Sequence, residues 1–191
     1  MIMKKVLTFL AVAFITIGSF AQTNWKIDSA HSSLNFDIAH SGISFVNGKF
    51  TDYTGEVTTY GEELDEATIN FTVQIASINT NVEMRDNHLK SADFFDVETY
   101  PTMTFESTKI LATGKPDLYL LHGKLTIKDV TKDVIFDVHY GGTVESEEGE
   151  KIGIKATTVI DRFDFNIDYD PMALGIGKDV SITVHGQFVK Q

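Results

Sequence analysis

The stretch Ala67-Thr68-Ile69-Asn70-Phe71-Thr72-Val73-Gln74-Ile75 alternates apolar and polar side chains at every step. Successive side chains of a β-strand point to opposite faces, so this period of two predicts a half-buried strand. Ala67, Ile69, Phe71, Val73 and Ile75 form its core face. The pattern recurs upstream, where Leu34, Phe36 and Ile38 oppose Asn35 and Asp37. Downstream, Met103 and Phe105 oppose Thr102 and Thr104, and Val134, Phe136, Val138 and Tyr140 oppose Asp137 and His139. Phe163, Phe165, Ile167 and Tyr169 against Asp164, Asn166 and Asp168 predict another strand, and Val180, Ile182 and Val184 the last.

Turn chemistry separates these runs at Asn47-Gly48, Tyr60-Gly61, Thr113-Gly114-Lys115-Pro116, Gly141-Gly142 and an acidic loop from Glu145 to Glu150. Only the segment from Asn79 to Phe95 breaks the period. Thr80 and Glu83 have capping-box spacing and Pro101 stops continuation, so one short helix is expected over about 80–95. The class is all-β. Many strands with one apolar face each close as a barrel or pack as a sandwich. The apolar faces are rich in phenylalanine, 14 in the chain. In a sandwich the rings would fill the core, whereas in an eight-stranded barrel they could line a cavity for one ligand. Periodicity alone does not separate a filled interior from a lined one.

The N-terminus carries Lys4 and Lys5, an apolar run from Val6 to Ile17, and small residues at Ser19 and Ala21. That is the composition of a cleavable signal peptide over residues 1–21, too short an apolar run to span a bilayer. The expectation is a single domain from 22 to 191, exported to the periplasm or beyond, with no stable membrane insertion after cleavage. Cysteine is absent, so an exported domain would have no disulfides and would stand on its hydrophobic core. Removing Lys4 and Lys5 from 16 basic residues leaves 14 against 27 acidic ones, or −13. Such a charge argues against nucleic acid and anionic lipid surfaces as partners.

Catalytic constellations are missing from the sequence. The six histidines, His31, His40, His88, His122, His139 and His185, are scattered, and no nucleophile elbow, phosphate loop, dinucleotide fingerprint or zinc-binding helix motif occurs. His31, His40 and a carboxylate could meet in a barrel, but no pair has short metal-ligand spacing. No enzyme, metal or cofactor is expected. The polar segment Arg85-Asp86-Asn87-His88-Leu89-Lys90-Ser91, followed by Asp93-Phe94-Phe95-Asp96, has two readings. It is a lid whose Arg85 and His88 touch a ligand's polar head, or a connector whose Arg85 pairs with nearby acids on a solvated face.

Several ordered motifs resemble the YceI-like family. They begin with Trp25-Lys26-Ile27-Asp28-Ser29-Ala30-His31-Ser32-Ser33-Leu34-Asn35-Phe36 and His40. The middle carries Ile78-Asn79-Thr80-Asn81, Arg85-Asp86-Asn87-His88-Leu89, Phe94-Phe95-Asp96 and Tyr100-Pro101-Thr102-Met103-Thr104-Phe105. Gly123 to Lys132 and Gly175 to Val180 complete the set, which spans nearly the whole mature chain. The resemblance implies a lipocalin-like, extended eight-stranded antiparallel barrel holding a long-chain isoprenoid, an isoprenoid quinone or a fatty-acid derivative in an apolar tunnel, without catalysis. Storage or transport of such an amphiphile is the implied role, with stress response a frequent association. A homodimer is compatible with it. The other reading is a non-catalytic stress-response or interaction protein with a filled barrel.

The expected tunnel lining is Phe36, Ile38, Phe45, Phe50, Phe71, Val73, Ile78, Phe94, Phe95, Met103, Phe105, Ile127, Phe136, Phe163, Phe165 and Met172. For a polar head, the candidates are Arg85, His88 and Lys128, with Lys90, Lys124 and Lys132 as further cations. A pyrophosphate would require several of them to converge; otherwise a neutral head is the easier fit.

Overall fold

A computed structural model describes residues 22–61, 64–147 and 149–191. The expected leader, 1–21, lies outside these residues. Eleven strands follow in the order β1 (Thr23–Ile27), β2 (Ser33–His40), β3 (Ser44–Phe50), β4 (Tyr53–Thr59), β5 (Thr68–Gln74) and β6 (Ile78–Asn79), then β7 (Thr102–Ala112), β8 (Leu118–Ile127), β9 (Val130–Ser146), β10 (Gly149–Asp161) and β11 (Ile176–Lys190). The helix α1 (Glu83–Lys90) stands between β6 and β7.

Antiparallel pairing runs from β1 through β4, β5, β7, β8, β9, β10 and β11 and returns to β1, closing a ring of eight strands. The fold is therefore the expected closed, eight-stranded, lipocalin-like barrel with one helix. Closure leaves no free backbone edge around that ring. Beyond the ring the wall continues on one side only. β2 carries on from β1 after one 3-10 turn, Ser29–His31, whose first N–H groups are met by the Asp28 carboxylate at 3.0 Å from Ala30 N. Both β1 and β2 pair with β11, through Ile27 with Phe188 and Leu34 with Val184. β3 then pairs along β2, and short β6 pairs with β3 at Lys49 and Phe50. The next stretch of wall at this end comes from α1 and the loop after it, with the Phe95 ring 6.2 Å from Phe50.

Local chemistry corrects several expected boundaries. Asn47-Gly48 lies inside β3, and the reversal occurs at Ser41-Gly42, both at positive φ as a type I′ hairpin turn requires. Gly48 is small for another reason, since a Cβ there would lie 2.2 Å from Cζ of Phe36, its cross-strand partner. Gly141-Gly142 is also no turn. It sits within β9 beside the register shift at Gly153 and Ile154, and the chain reverses in the acidic segment between Ser146 and Gly149.

The expected strand from Phe163 to Tyr169 does not form. β10 ends at Asp161, whose carboxylate accepts from Phe163 N at 3.0 Å, and a 3-10 turn covers Arg162–Phe165. The helix is shorter than 80–95, and Thr80 is not its N-cap. Its N–H and hydroxyl both donate to Asp86 Oδ1, at 2.8 and 2.5 Å, so Asp86 does the reaching back in place of Glu83.

Candidate functional site

The barrel interior is filled at one end and hollow at the other. Trp25, Val57, Tyr119, Val138 and Ile152 are buried against one another where the loops near residues 60 and 113–117 gather. Trp25 Nε1 donates to the buried Thr59 hydroxyl at 3.0 Å, which satisfies the one polar atom the ring brings inside. Toward α1 the side chains draw apart around a cavity of about 750 Å³. That size suits a whole small ligand. The filled and lined alternatives therefore coexist, each in its own half.

Phe36, Ile38, Phe50, Phe71, Val73, Met103, Phe105, Ile127, Phe136 and Phe165 line the cavity from the wall, with Phe94 and Phe95 beside the helix. Edge-to-face contacts fix several rings, with Phe105 and Phe136 centroids 5.2 Å apart and Phe71 and Phe188 6.2 Å apart. Four expected lining residues are elsewhere. Phe45 alternates with the inward Val46 and so points outward, 70% exposed. Met172 is 74% exposed in the loop before β11. Phe163 stacks under the Arg162 guanidinium, 4.3 Å from its ring centre, and Ile78 is buried behind the wall in β6.

The expected lining omits the β10 and β11 side of the wall, although Val180, Ile182 and Val184 stand on the apolar face predicted for the last strand. Ile154, Ala156 and Ile160 line it from β10, and Val180, Ile182, Val184 and Phe188 from β11. In β11 the period continues through Gly186 to Phe188 and could have been extended. In β10 the inward series Ile152, Ile154, Ala156, Thr158, Ile160 is diluted by a small and a polar residue, which hid it.

Two expected head-group residues reach the cavity. Arg85 donates from Nε to Thr80 Oγ1 at 2.7 Å and from Nη2 to Thr80 O at 2.8 Å, so it pins the start of the helix while lining the mouth. The expected pairing of Arg85 with acids is replaced by these neutral acceptors. His88 Nε2 lies 2.9 Å from Asp93 Oδ2, and its ring meets Phe94 and Tyr169, each centroid 5.0 Å away. Lys128 does not line the cavity, because its ammonium donates to Asn166 O at 2.8 Å. Lys124 pairs with Asp133 at 3.2 Å and Lys132 with Asp164 at 3.8 Å, and neither these nor Lys90 is among the lining side chains.

One lining cation was not anticipated. Arg162 is 3% exposed, and its guanidinium donates to four backbone carbonyls, those of Gly177, Ile167, Asp170 and Ile176, between 2.5 and 3.1 Å. Burial lowers its pKa from the usual arginine value, while Asp170 pulls the other way. Asp170 itself accepts from Ile176 N at 2.8 Å and Gly175 N at 2.7 Å, which holds its carboxyl below the usual carboxylate range. Together they pin the loop that carries Tyr169 to the mouth.

His31 and His40 stand at opposite ends of β2, so the chain does not bring them together. His31 Nδ1 is 2.6 Å from Asp28 Oδ2, and His40 lines the mouth. Among the described residues no cluster of three metal-ligating side chains forms.

A family model described as the YceI-like domain matches residues 25–188. A UPF0312 protein of Pseudomonas putida strain W619 is 34% identical over 194 residues, covering 99% of each chain. The crystal structure of Burkholderia cenocepacia BcnA superposes with a TM-score of 0.76 at 22% identity, over 84% of this chain and 98% of that one. A structure from Saccharophagus degradans, described as a polyisoprenoid binding domain implicated in plant cell wall breakdown, has a TM-score of 0.69 at 16% identity, over 87% and 98%. The last two share the fold; the matched domain and the identity to the Pseudomonas relative over the full length go further, and the chain belongs to the YceI-like family.

Proposed function

We propose that the chain binds a long-chain amphiphile, a polyisoprenoid or isoprenoid quinone, in the barrel cavity and stores or carries it in the periplasm without transforming it. The observation that carries the reading is the cavity itself, about 750 Å³ with apolar walls from six of the eight ring strands, from β2 and β3 and from the helix, and its few polar side chains mostly at one mouth. The Saccharophagus neighbour described as a polyisoprenoid binding domain supports the ligand class. Export rests on the 1–21 leader, and the absence of a reaction on the lack of any catalytic motif in the sequence.

Of the six candidate cations only Arg85 and His88 line the cavity, and Arg162 is already spent on four carbonyls. That favours a neutral head such as a quinone over a pyrophosphate. Burial of hydrocarbon supplies the affinity. At ~0.8 kcal/mol per methylene, about thirty carbons would give roughly 24 kcal/mol, above the ~18–21 kcal/mol ceiling of real complexes. Ordering the chain and withdrawing it from a membrane offset most of this, leaving reversible exchange.

The test is organic extraction of gently purified protein, expressed with its leader, followed by mass spectrometry. A stoichiometric prenyl species supports the reading, an acyl species replaces the ligand class with a fatty-acid derivative, and clean extracts from folded protein overturn it. N-terminal sequencing of the exported product should begin at Gln22.

A further inference from the structure

Among the described residues, eleven large apolar side chains are exposed; Val82, Met84 and Tyr169 also line the cavity, and Ile43, Phe45, Met172 and Leu174 lie on the segments that adjoin its lining residues His40, Val46 and Ile176. These seven come from three separate elements. The β2–β3 hairpin tip presents Ile43 and Phe45, 91% and 70% exposed, and the loop before β11 presents Met172 and Leu174, 74% and 77% exposed, beside Tyr169. Val82 and Met84 of the helix start complete the rim and also line the cavity. Hairpin and loop are joined directly, since Ser41 N donates to Gly175 O at 2.7 Å and His40 pairs with Ile176.

Charge is absent from the two protruding segments. Residues 41–48 and 171–177 contain no Asp, Glu, Lys or Arg, in a chain where 23% of residues are charged. Asp170, which borders one of them, turns its carboxylate inward to Gly175 and Ile176 N–H groups. Exposed apolar patches of this kind mark contact surfaces, and here the patch continues the apolar lining out to the edge of the opening.

We propose that this rim docks on the surface of a lipid bilayer, seating the mouth on the hydrocarbon so that cargo passes between membrane and barrel without crossing water. The inference rests on the amphiphile-binding reading above. A second copy of the chain fits the rim less well. Two molecules at −11 each by sequence, −13 after loss of the leader, repel one another, and a copy seated there would seal the opening. A zwitterionic bilayer presents no such repulsion. Four apolar side chains on two short segments, Ile43, Phe45, Met172 and Leu174, give shallow, reversible attachment rather than insertion.

The experiment uses the mature protein with phosphatidylcholine vesicles and a dansyl-labelled geranylgeranyl chain as probe. Flotation of the protein alone reads docking, and the rate of probe transfer at increasing vesicle concentration reads its use. Expected results are co-flotation and a transfer rate that rises in proportion to vesicle concentration. The combined variant I43S/F45S/M172S/L174S should lose at least tenfold in both, with probe stoichiometry and thermal unfolding unchanged. The single variants I43S and L174S, each expected to lose about threefold, keep the test intact should the combined one fold poorly. A transfer rate independent of vesicle concentration with no flotation, or serine variants that behave as the parent, overturns the proposal. So does a dimer in sedimentation that the same substitutions dissolve, which would assign the rim to a second copy. Protein that floats but never takes up probe would overturn the binding reading and leave the docking surface standing.

Discussion

Replacing Ala156 by phenylalanine should strengthen the fold while weakening the hold on cargo, an opposition of signs that few substitutions produce. Ala156 faces the cavity from β10 between Val138 and Val184, and is 7% exposed. A phenyl ring there takes the space of about six cargo carbons, worth roughly 5 kcal/mol gross at ~0.8 kcal/mol per methylene. A flexible chain recovers part of this by shortening its buried length. Even a third of it, about 1.5 kcal/mol, raises Kd roughly tenfold.

The protein gains from the same ring. Filling apolar space already open in the barrel should add about 1 kcal/mol, or roughly 2–4 °C in Tm for a chain of this size. Ala156→Leu should fall between parent and Phe on both scales. The assays are fluorescence titration with a dansyl-labelled prenyl chain and thermal unfolding without ligand. An unchanged Kd would show that the hydrocarbon does not occupy the hollow half. A loss of several kcal/mol in stability would show that the ring meets packed atoms there.

Other substitutions probe the supports. Gly123→Ala should cost about 1–3 kcal/mol by overpacking, because its Cβ would meet Phe105 at 2.3 Å and the Glu106 carbonyl oxygen at 2.7 Å; urea unfolding checks this. Gly48→Ala should cost less, since its contact is the movable end of the Phe36 ring, a comparison that calorimetry can rank. Arg162→Met strands four carbonyls that now share a guanidinium, so a loss of about 3 kcal/mol or more is expected, with amide exchange rising first over residues 166–177. The Asp170 carboxyl titrates below its unfolded value of 3.8, so it stabilises the fold above that pH and stops doing so as pH falls through its lower native pKa. NMR titration should place its midpoint below 3.8, and Asp170→Asn should remove that part of the acid dependence.

Strand alternation made most of the wall legible. Phe71, Val73, Met103, Phe105 and Phe136 were found because one face of each strand is dry and the other wet, and nothing in their neighbourhood disturbs the count. The failures have separate causes. Phe45 and Phe50 lie an odd number of residues apart in one strand, so they could not share a face, and residue type had overridden parity. Phe163 and Phe165 follow a perfect strand period, yet Arg162 gathers four distant carbonyls and winds the segment into a turn, a tertiary demand that no local pattern records. Asn47-Gly48 reads as a hairpin turn from composition, but the glycine is there to admit the Phe36 ring. Both Arg85 and His88 reach the mouth because the helix that carries them begins where β6 leaves the wall, a placement that belongs to topology.

The packed floor of Trp25, Val57, Tyr119, Val138 and Ile152 turns the barrel from a pipe into a blind well. In the proposed role a molecule would enter such a well tail first and stop where the floor stops it, leaving its head at the mouth beside α1. Depth then acts as a ruler. Affinity should climb with each added carbon until the tail touches bottom and level off afterwards, since every further carbon stays outside. The length at which the curve bends would measure the well, and shaving the floor with Val138→Ala should move that bend to longer chains.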